Sequence, residues 1–160
     1  SFADVTLGAQ NNTGIGSHFS LSNGNVYTHA EATNNAVIQE NIDLIYFYVE
    51  DDKNTIASPG ANMDEGIFPG NFEDWAVRNT TRFIKTELIA EDFNQAENDS
   101  LLITNYIEGE GKRKAKKLKS DDIYVFKNQE GKLGIFRVKE VNGTEPGDIT
   151  LDIKIQEGEE

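Results

Sequence analysis

The sequence predicts an α+β fold built on a mostly antiparallel sheet, and three observations predict it. From about residue 120 the chain reads as a C-terminal three-strand meander: "DDIYVFKN", turn "QEGK", "LGIFRVKEV", turn "NGTEPG" and "DITLDIKIQ". In its last strand Ile149, Leu151, Ile153 and Ile155 alternate with Thr150, Asp152, Lys154 and Gln156, so one face is buried and the other wet. The run from Ile42 to Val49 is apolar on both faces, the pattern of a central strand covered on both sides. The middle third carries short helices, so the chain lacks the regular βαβ alternation of a parallel sheet. An all-β sandwich is the alternative.

The elements follow in chain order. Residues 3 to 10, "ADVTLGAQ", make a short strand ended by the loop "NNTGIG". Gly24 and Asn25, between "FSLS" and "VYT", mark a hairpin-like reversal. Thr28 and Glu31 stand at capping-box spacing and open a helix through about Val37, with Ala32 and Ala36 on one side. In the run that follows, Ile42, Leu44, Tyr46 and Tyr48 share one face and Ile45, Phe47 and Val49 the other; Glu50 to Asn54 are the solvated turn after it. "PGNFEDWAVRN" reads as a helix with Asn71 as N-cap and Glu73 and Asp74 in its first turn. "NTTRFIKTEL" reads as a strand. "AEDFNQAE" and "NDSLLITNYIEG" read as two short helices, the second entered at Asp99 or Ser100 and closed by Gly109. The tail "EGEE" is expected to fray.

Composition bounds the function. A chain of 160 residues fits one domain, 1–160, large enough for a core without staples. The net charge of −13, from 28 acidic against 15 basic residues, repels phosphate backbones and argues against nucleic acid as a partner. There is no cysteine, which removes disulfides, thiolate metal sites and cysteine nucleophiles together. No run approaches the roughly 18–20 apolar residues of a membrane span. The chain starts at Ser1 with no initiator Met or signal-like region, so it is expected to be a mature or trimmed piece whose targeting signal lay upstream.

The stretches "DVTLGAQNN", "GNVYTHAEA", "IDLIYFY", "TIASP", "WAVRNTTRF", "DDIYVFKNQEGKLGIFRV" and "ITLDIKIQ" run in order over nearly the whole chain. Together they resemble an uncharacterised domain of secreted Bacteroidetes lipoproteins. The resemblance implies an address: exported, lipid-anchored through a cysteine upstream of Ser1, in the periplasm or on the cell surface. It implies no activity and no set of functional residues.

Candidate chemistry is sparse. His18 and His29 match no zinc spacing and read as loop and helix-start residues. Ser58 precedes Pro59 and lacks the glycine-flanked elbow of a hydrolase nucleophile; Ser17, Ser20, Ser22, Ser100 and Ser120 are no better placed. Acid groups such as Glu50, Asp51 and Asp52, or Asp64 with Glu65, Glu73 with Asp74 and Asp121 with Asp122, sit where turns and helix starts want acids, and none stands out as a glycosidase pair. No cofactor is expected; a structural calcium at "EDDKNT" or "NMDEG" is a weak alternative, since neither follows the EF-hand spacing. Tyr46, Phe47 and Tyr48 alternate faces and cannot form one stacking platform, Trp75 is expected to pack from its helix, and Tyr27, Tyr106 and Tyr124 are left as candidates for exposure. "DSL" at 99 to 101 resembles the O-glycosylation tripeptide of exported Bacteroidetes proteins, against the competing reading of an Asp or Ser helix cap.

One local charge anomaly remains. Lys112, Arg113, Lys114, Lys116, Lys117 and Lys119 place six cations within eight residues of an acidic chain. Such a patch suits an anionic polysaccharide or phospholipid headgroups; the bland reading is a solvated loop or an edge strand whose lysines prevent pairing. The expectation is a non-catalytic cell-surface or periplasmic module that binds a glycan or protein partner. A structural spacer is the alternative, and an enzyme with an unrecognised carboxylate site the third.

Overall fold

A computed structural model of the protein describes residues 1–63, 66–69 and 72–156. β-Branched and aromatic runs form nine strands among these residues, and all of their pairings are antiparallel. They are β1 (Phe2–Gly8), β2 (His18–Phe19), β3 (Val26–Tyr27), β4 (Leu44–Val49), β5 (Lys53–Ala57), β6 (Arg82–Lys85), β7 (Ile123–Lys127), β8 (Leu133–Asn142) and β9 (Asp148–Ile155). The larger sheet has the order β1-β9-β8-β7-β6 and the smaller β3-β2-β4-β5. Four short helices are α1 (His29–Thr33), α2 (Ala36–Gln39), α3 (Ala90–Gln95) and α4 (Ser100–Asn105).

The alternation of each strand decides the layers. Leu44, Tyr46 and Ile56 of the smaller sheet meet Phe126, Phe136, Val138 and Leu151 of the larger one in a shared core. On the opposite face of the smaller sheet, Ile45, Phe47 and Ala57 pack under Phe68, Phe72 and Trp75. On the opposite face of the larger, Ile123, Val125 and Ile135 pack under Phe93 of α3 and Leu102 of α4. The α+β expectation and the C-terminal meander are therefore seen. Two sheets do face each other as in a sandwich, but helices cover the outer face of one of them.

The run "LIYFYV" is the buried interior strand that its two apolar faces predict, with Leu44 to Phe47 fully buried and Tyr48 and Val49 half-buried at its end. Ile42 departs from the expected face: it precedes the strand and joins the cluster of Ile45 and Phe47. The capping box at Thr28 and Glu31 is formed, but the expected single helix is two. The Asn35 side chain accepts from the Val37 and Ile38 amides and restarts the helix, which buries Ala32 and leaves Ala36 exposed.

The solvated turn ends at Asp52. Lys53 and Asn54 belong to β5, because Lys53, at φ 58°, closes the reversal early enough for Thr55, Ile56 and Ala57 to pair with β4. The expected helix around Trp75 shrinks to a 3-10 turn, Phe72–Asp74, with Trp75 buried just after it. The proposed cap Asn71, the pair Asp64 and Glu65, and the tail from residue 157 lie outside the described residues. The helix at "NDSLLITNYIEG" ends at Asn105, with Tyr106 as its C-cap, four residues before Gly109.

Candidate functional site

The basic segment is not a free loop. Its two apolar residues, Ala115 and Leu118, are buried in the core between the sheets, which fixes the direction of the cations between them. Lys112 exchanges both backbone hydrogen bonds with Phe83 of β6, each 2.8 Å, and Ala115 does the same with Ile56 of β5, at 2.8 and 2.9 Å. The Lys117 amide donates to the Asp52 carbonyl and the Leu118 amide to that of Asn54. The segment is thus a strap that joins the edge strand of one sheet to the edge strand of the other. Gly111 lets it approach: a Cβ there would lie 2.6 Å from Cβ of Arg82 and 2.5 Å from the Tyr106 hydroxyl.

Beside the strap lies a cleft of about 610 Å³, within the usual size range of ligand sites. Lys112, Arg113, Lys114 and Lys116 line it, together with Lys85 from β6, Ala61 and Asn62, with the buried Phe83 and Tyr124 as its floor. Four of the six cations singled out in the sequence are brought together. Lys117 and Lys119 are not: Lys117 turns at φ 54°, and Lys119 pairs with Asp122 at 3.2 Å. Lys85 has no sequence signal, since only the pairing of β6 with β7 and with the strap places it here.

The charges in the cleft are accessible. Lys116 pairs with Asp52 at 3.3 Å while its side chain stays 52% exposed, and Lys85 is 54% exposed with Asp122 at 3.9 Å. Pairs this exposed contribute only about 0–1 kcal/mol, so a ligand anion can displace them. Lys112, Arg113 and Lys114 form no ion pair with a described residue. Tyr124 is buried, contrary to its candidacy for exposure, and desolvation raises its phenol to about 12 while its hydroxyl donates to the Lys116 carbonyl. The floor is neutral at any ordinary pH, and the rim is cationic.

Two other concavities are less suited to a charged ligand. One, of about 390 Å³, is lined by Gln10, Asn12, Thr28, His29 and Thr33. These groups are already engaged: Gln10 with the Tyr48 backbone, Asn12 with the Ile15 amide and the Gly147 carbonyl, Thr28 with Glu31, Thr33 with the His29 carbonyl. In the other, of about 670 Å³, Lys154 caps the α3 carbonyls of Phe93 and Ala96, and Gln156 bonds Leu133 and Asp99.

Sequence reasoning missed the histidine pair. His18 is buried in β2, and its Nε2 lies 3.0 Å from Nδ1 of His29, the first residue of α1. His29 Nε2 faces the Pro69 carbonyl at 2.8 Å, and a carbonyl only accepts, so His29 carries its proton there. His29 Nδ1 then accepts from His18 Nε2, and His18 Nδ1 holds a buried lone pair. Phe68, Phe72 and Trp75 surround both rings, with Phe68 stacked on His29. No spacing rule finds such a pair, because β2 and α1 meet only through the β2–β3 hairpin.

The acid pairs stay apart in role. Asp122 holds Lys119 and the Lys119 amide, Asp121 holds Arg137, and Glu50 holds Lys53. Among the described residues no group of three or more His, Cys, Asp or Glu side chains could hold a metal ion. Ser58 is buried, and its hydroxyl accepts from the Thr81 amide. The Asp99 side chain makes no cap bond with α4; the Ser100 amide is instead taken by Asn98.

No family model and no curated protein matches the sequence. Among solved structures, the chain is similar to a DUF4466 family protein from Parabacteroides merdae, with a TM-score of 0.68 at 16% identity. The match covers 96% of this chain and 52% of that one, so the chain spans about half the length of the solved chain it resembles. At this identity the likeness is one of fold. It agrees with the expected resemblance to a Bacteroidetes domain of unknown function and carries no residue roles. No helix among the described residues is long and apolar enough to cross a membrane.

Proposed function

We propose that this is a non-catalytic binding module, exported and lipid-anchored through a segment upstream of Ser1, whose strap cleft takes an anionic ligand. The observation that carries the reading is the convergence of Lys85, Lys112, Arg113, Lys114 and Lys116 on one cleft of a protein with net charge −13. Because the strap backbone is fixed against β6 and β5, its cations keep a set position relative to Lys85. Glycans and acidic protein segments both present such anions. The export and anchor rest on the sequence resemblance, and the fold likeness to the Parabacteroides protein is in keeping with it.

A thermal-shift screen with neutral and anionic polysaccharides tests the proposal. A ligand at a hundredfold over its Kd adds roughly 2.7 kcal/mol, on the order of 5–10 °C for a domain of this size. The expected result is a shift with anionic but not neutral polymers, lost when Lys112, Arg113 and Lys114 are changed to Gln. A screen silent for every anion would favour the spacer.

A further inference from the structure

We infer that the ligand of the strap cleft is a linear acidic polysaccharide, held through several of its charged sugars at once. The inference rests on the reading of the cleft as a ligand site and names what that site selects.

The layout of the cations carries it. A site for one compact anion gathers donors around a point, usually with backbone amides and desolvated side chains aimed inward. Here the amides of Lys112 and Ala115 are engaged with Phe83 and Ile56, and no described lining residue aims a buried, unpaired polar side chain into the cleft. The cations instead follow the strap across the seam between the sheets. From Lys112 to Lys116 that is at most about 13 Å, at the ~3.3 Å per residue of extended chain. Lys112 and Arg113 are exposed, and the side chains of Lys85 and Lys116 stay about half exposed at 54% and 52%. Such a row gains little from one charge and accumulates affinity from a chain of them.

Two other polyanions fit less well. Single-stranded nucleic acid is held by aromatic rings on which bases stack, and the rings of this cleft, Phe83 and Tyr124, are buried at its floor. A lipid surface is met by a convex face with apolar residues to insert. The exposed large apolar side chains, Val26, Val37, Ile89, Ile103 and Ile107, all lie outside the concave basic cleft. A polymer of uronate or sulfated sugars has spaced charges and hydroxyl-rich rings that can lie along the lysine stems.

The test is calorimetric titration of the full chain with mono-, di- and tetragalacturonate at fixed low salt. A single-stranded oligonucleotide, tetraglutamate, phosphatidylserine vesicles and inorganic phosphate are the comparison probes. We expect affinity to rise more than about tenfold from monomer to tetramer, each tenfold being 1.4 kcal/mol. It should vanish in the K112Q/R113Q/K114Q variant and persist in K53Q/K127Q/K132Q, which removes equal charge elsewhere. If the triple strap variant does not fold, the three single variants replace it, each weakening binding about fivefold, the order of one cation near a polyanion. Monomer or phosphate binding as tightly as tetramer would overturn the inference and leave the proposed function standing. Tighter binding of the oligonucleotide, the tetraglutamate or the vesicles would overturn it in favour of that class. No binding of any anion would end both.

Discussion

His18 is an ionisable residue in a place that tolerates only its neutral form. Burial, and after it the neighbouring His29, lowers its imidazole from 6.5 to about 3. Between those values the unfolded chain binds the proton and the folded chain does not, so this group removes stability as pH falls from about 6.5 toward 3. Asp43 acts in the opposite sense. Burial, partly offset by the hydrogen bond from the Leu21 amide, raises its carboxyl from 3.8 to about 6, so it returns stability as pH falls from about 6 toward 4. At about 1.4 kcal/mol per pH unit for each group, the two nearly cancel in the window they share. Asp43→Asn removes the opposing group and should steepen the acid loss by about 1.4 kcal/mol per unit between pH 6 and 4, read from urea unfolding. A variant that tracks the parent through that window would refute the assignment. Gly111 is the other residue with a single structural reason. Gly111→Ala must push the strap off Arg82 and should cost about 1–3 kcal/mol, with weaker ligand binding as its second readout.

At the scale of elements the strap is the unusual piece, since it pairs with two different sheets through isolated bridges instead of a ladder. Its order depends on the residues that face inward. Leu118→Ala should cost about 2–5 kcal/mol and loosen the basic run that Leu118 anchors. Hydrogen exchange offers an independent check: the amides of Lys112, Ala115, Lys117 and Leu118 have backbone acceptors and should exchange slowly. Uniformly fast exchange from 112 to 118 would return the segment to a solvated loop. The capping box of α1 is a smaller device. Thr28→Ala leaves the Glu31 amide without its acceptor and should cost about 1 kcal/mol in thermal or denaturant unfolding.

For the molecule as a whole, one charge imbalance sets two salt dependences of opposite sign. With 28 acidic and 15 basic residues the folded chain repels itself, so raising salt from low to physiological ionic strength should raise its Tm. The same screening weakens an anion held by exposed cations, so affinity in the strap cleft should fall over the same range. Tm and affinity moving in the same direction with salt would show that the cleft is not held by charge. The layering explains why this patch survives on an acidic surface. Asp52 pairs with Lys116 and Asp122 with Lys85 and Lys119, whereas Lys112, Arg113 and Lys114 are left without an ion pair to a described residue.

The sequence by itself determined what depends on near neighbours. The alternation of Ile149, Leu151, Ile153 and Ile155 determined a half-buried strand, the two apolar faces of the run from Ile42 to Val49 determined a covered one, and Thr28 with Glu31 determined a helix start. Each of these signals acts within a few residues, where backbone geometry is the only variable. Local signals failed where two devices compete, as at Asn35, whose side chain ends one helix by starting another, and at Lys53, whose left-handed turn lets β5 begin early. The tertiary structure alone decided which sheet each strand joins, that β1 closes against β9, and that His18 meets His29. It also decided that a run of lysines crosses a seam beside Lys85 and does not trail in solvent. The physical reason is the same in each case. Two buried residues, Ala115 and Leu118, are too few to form a pattern, yet their burial between the sheets sets the position of every cation around them.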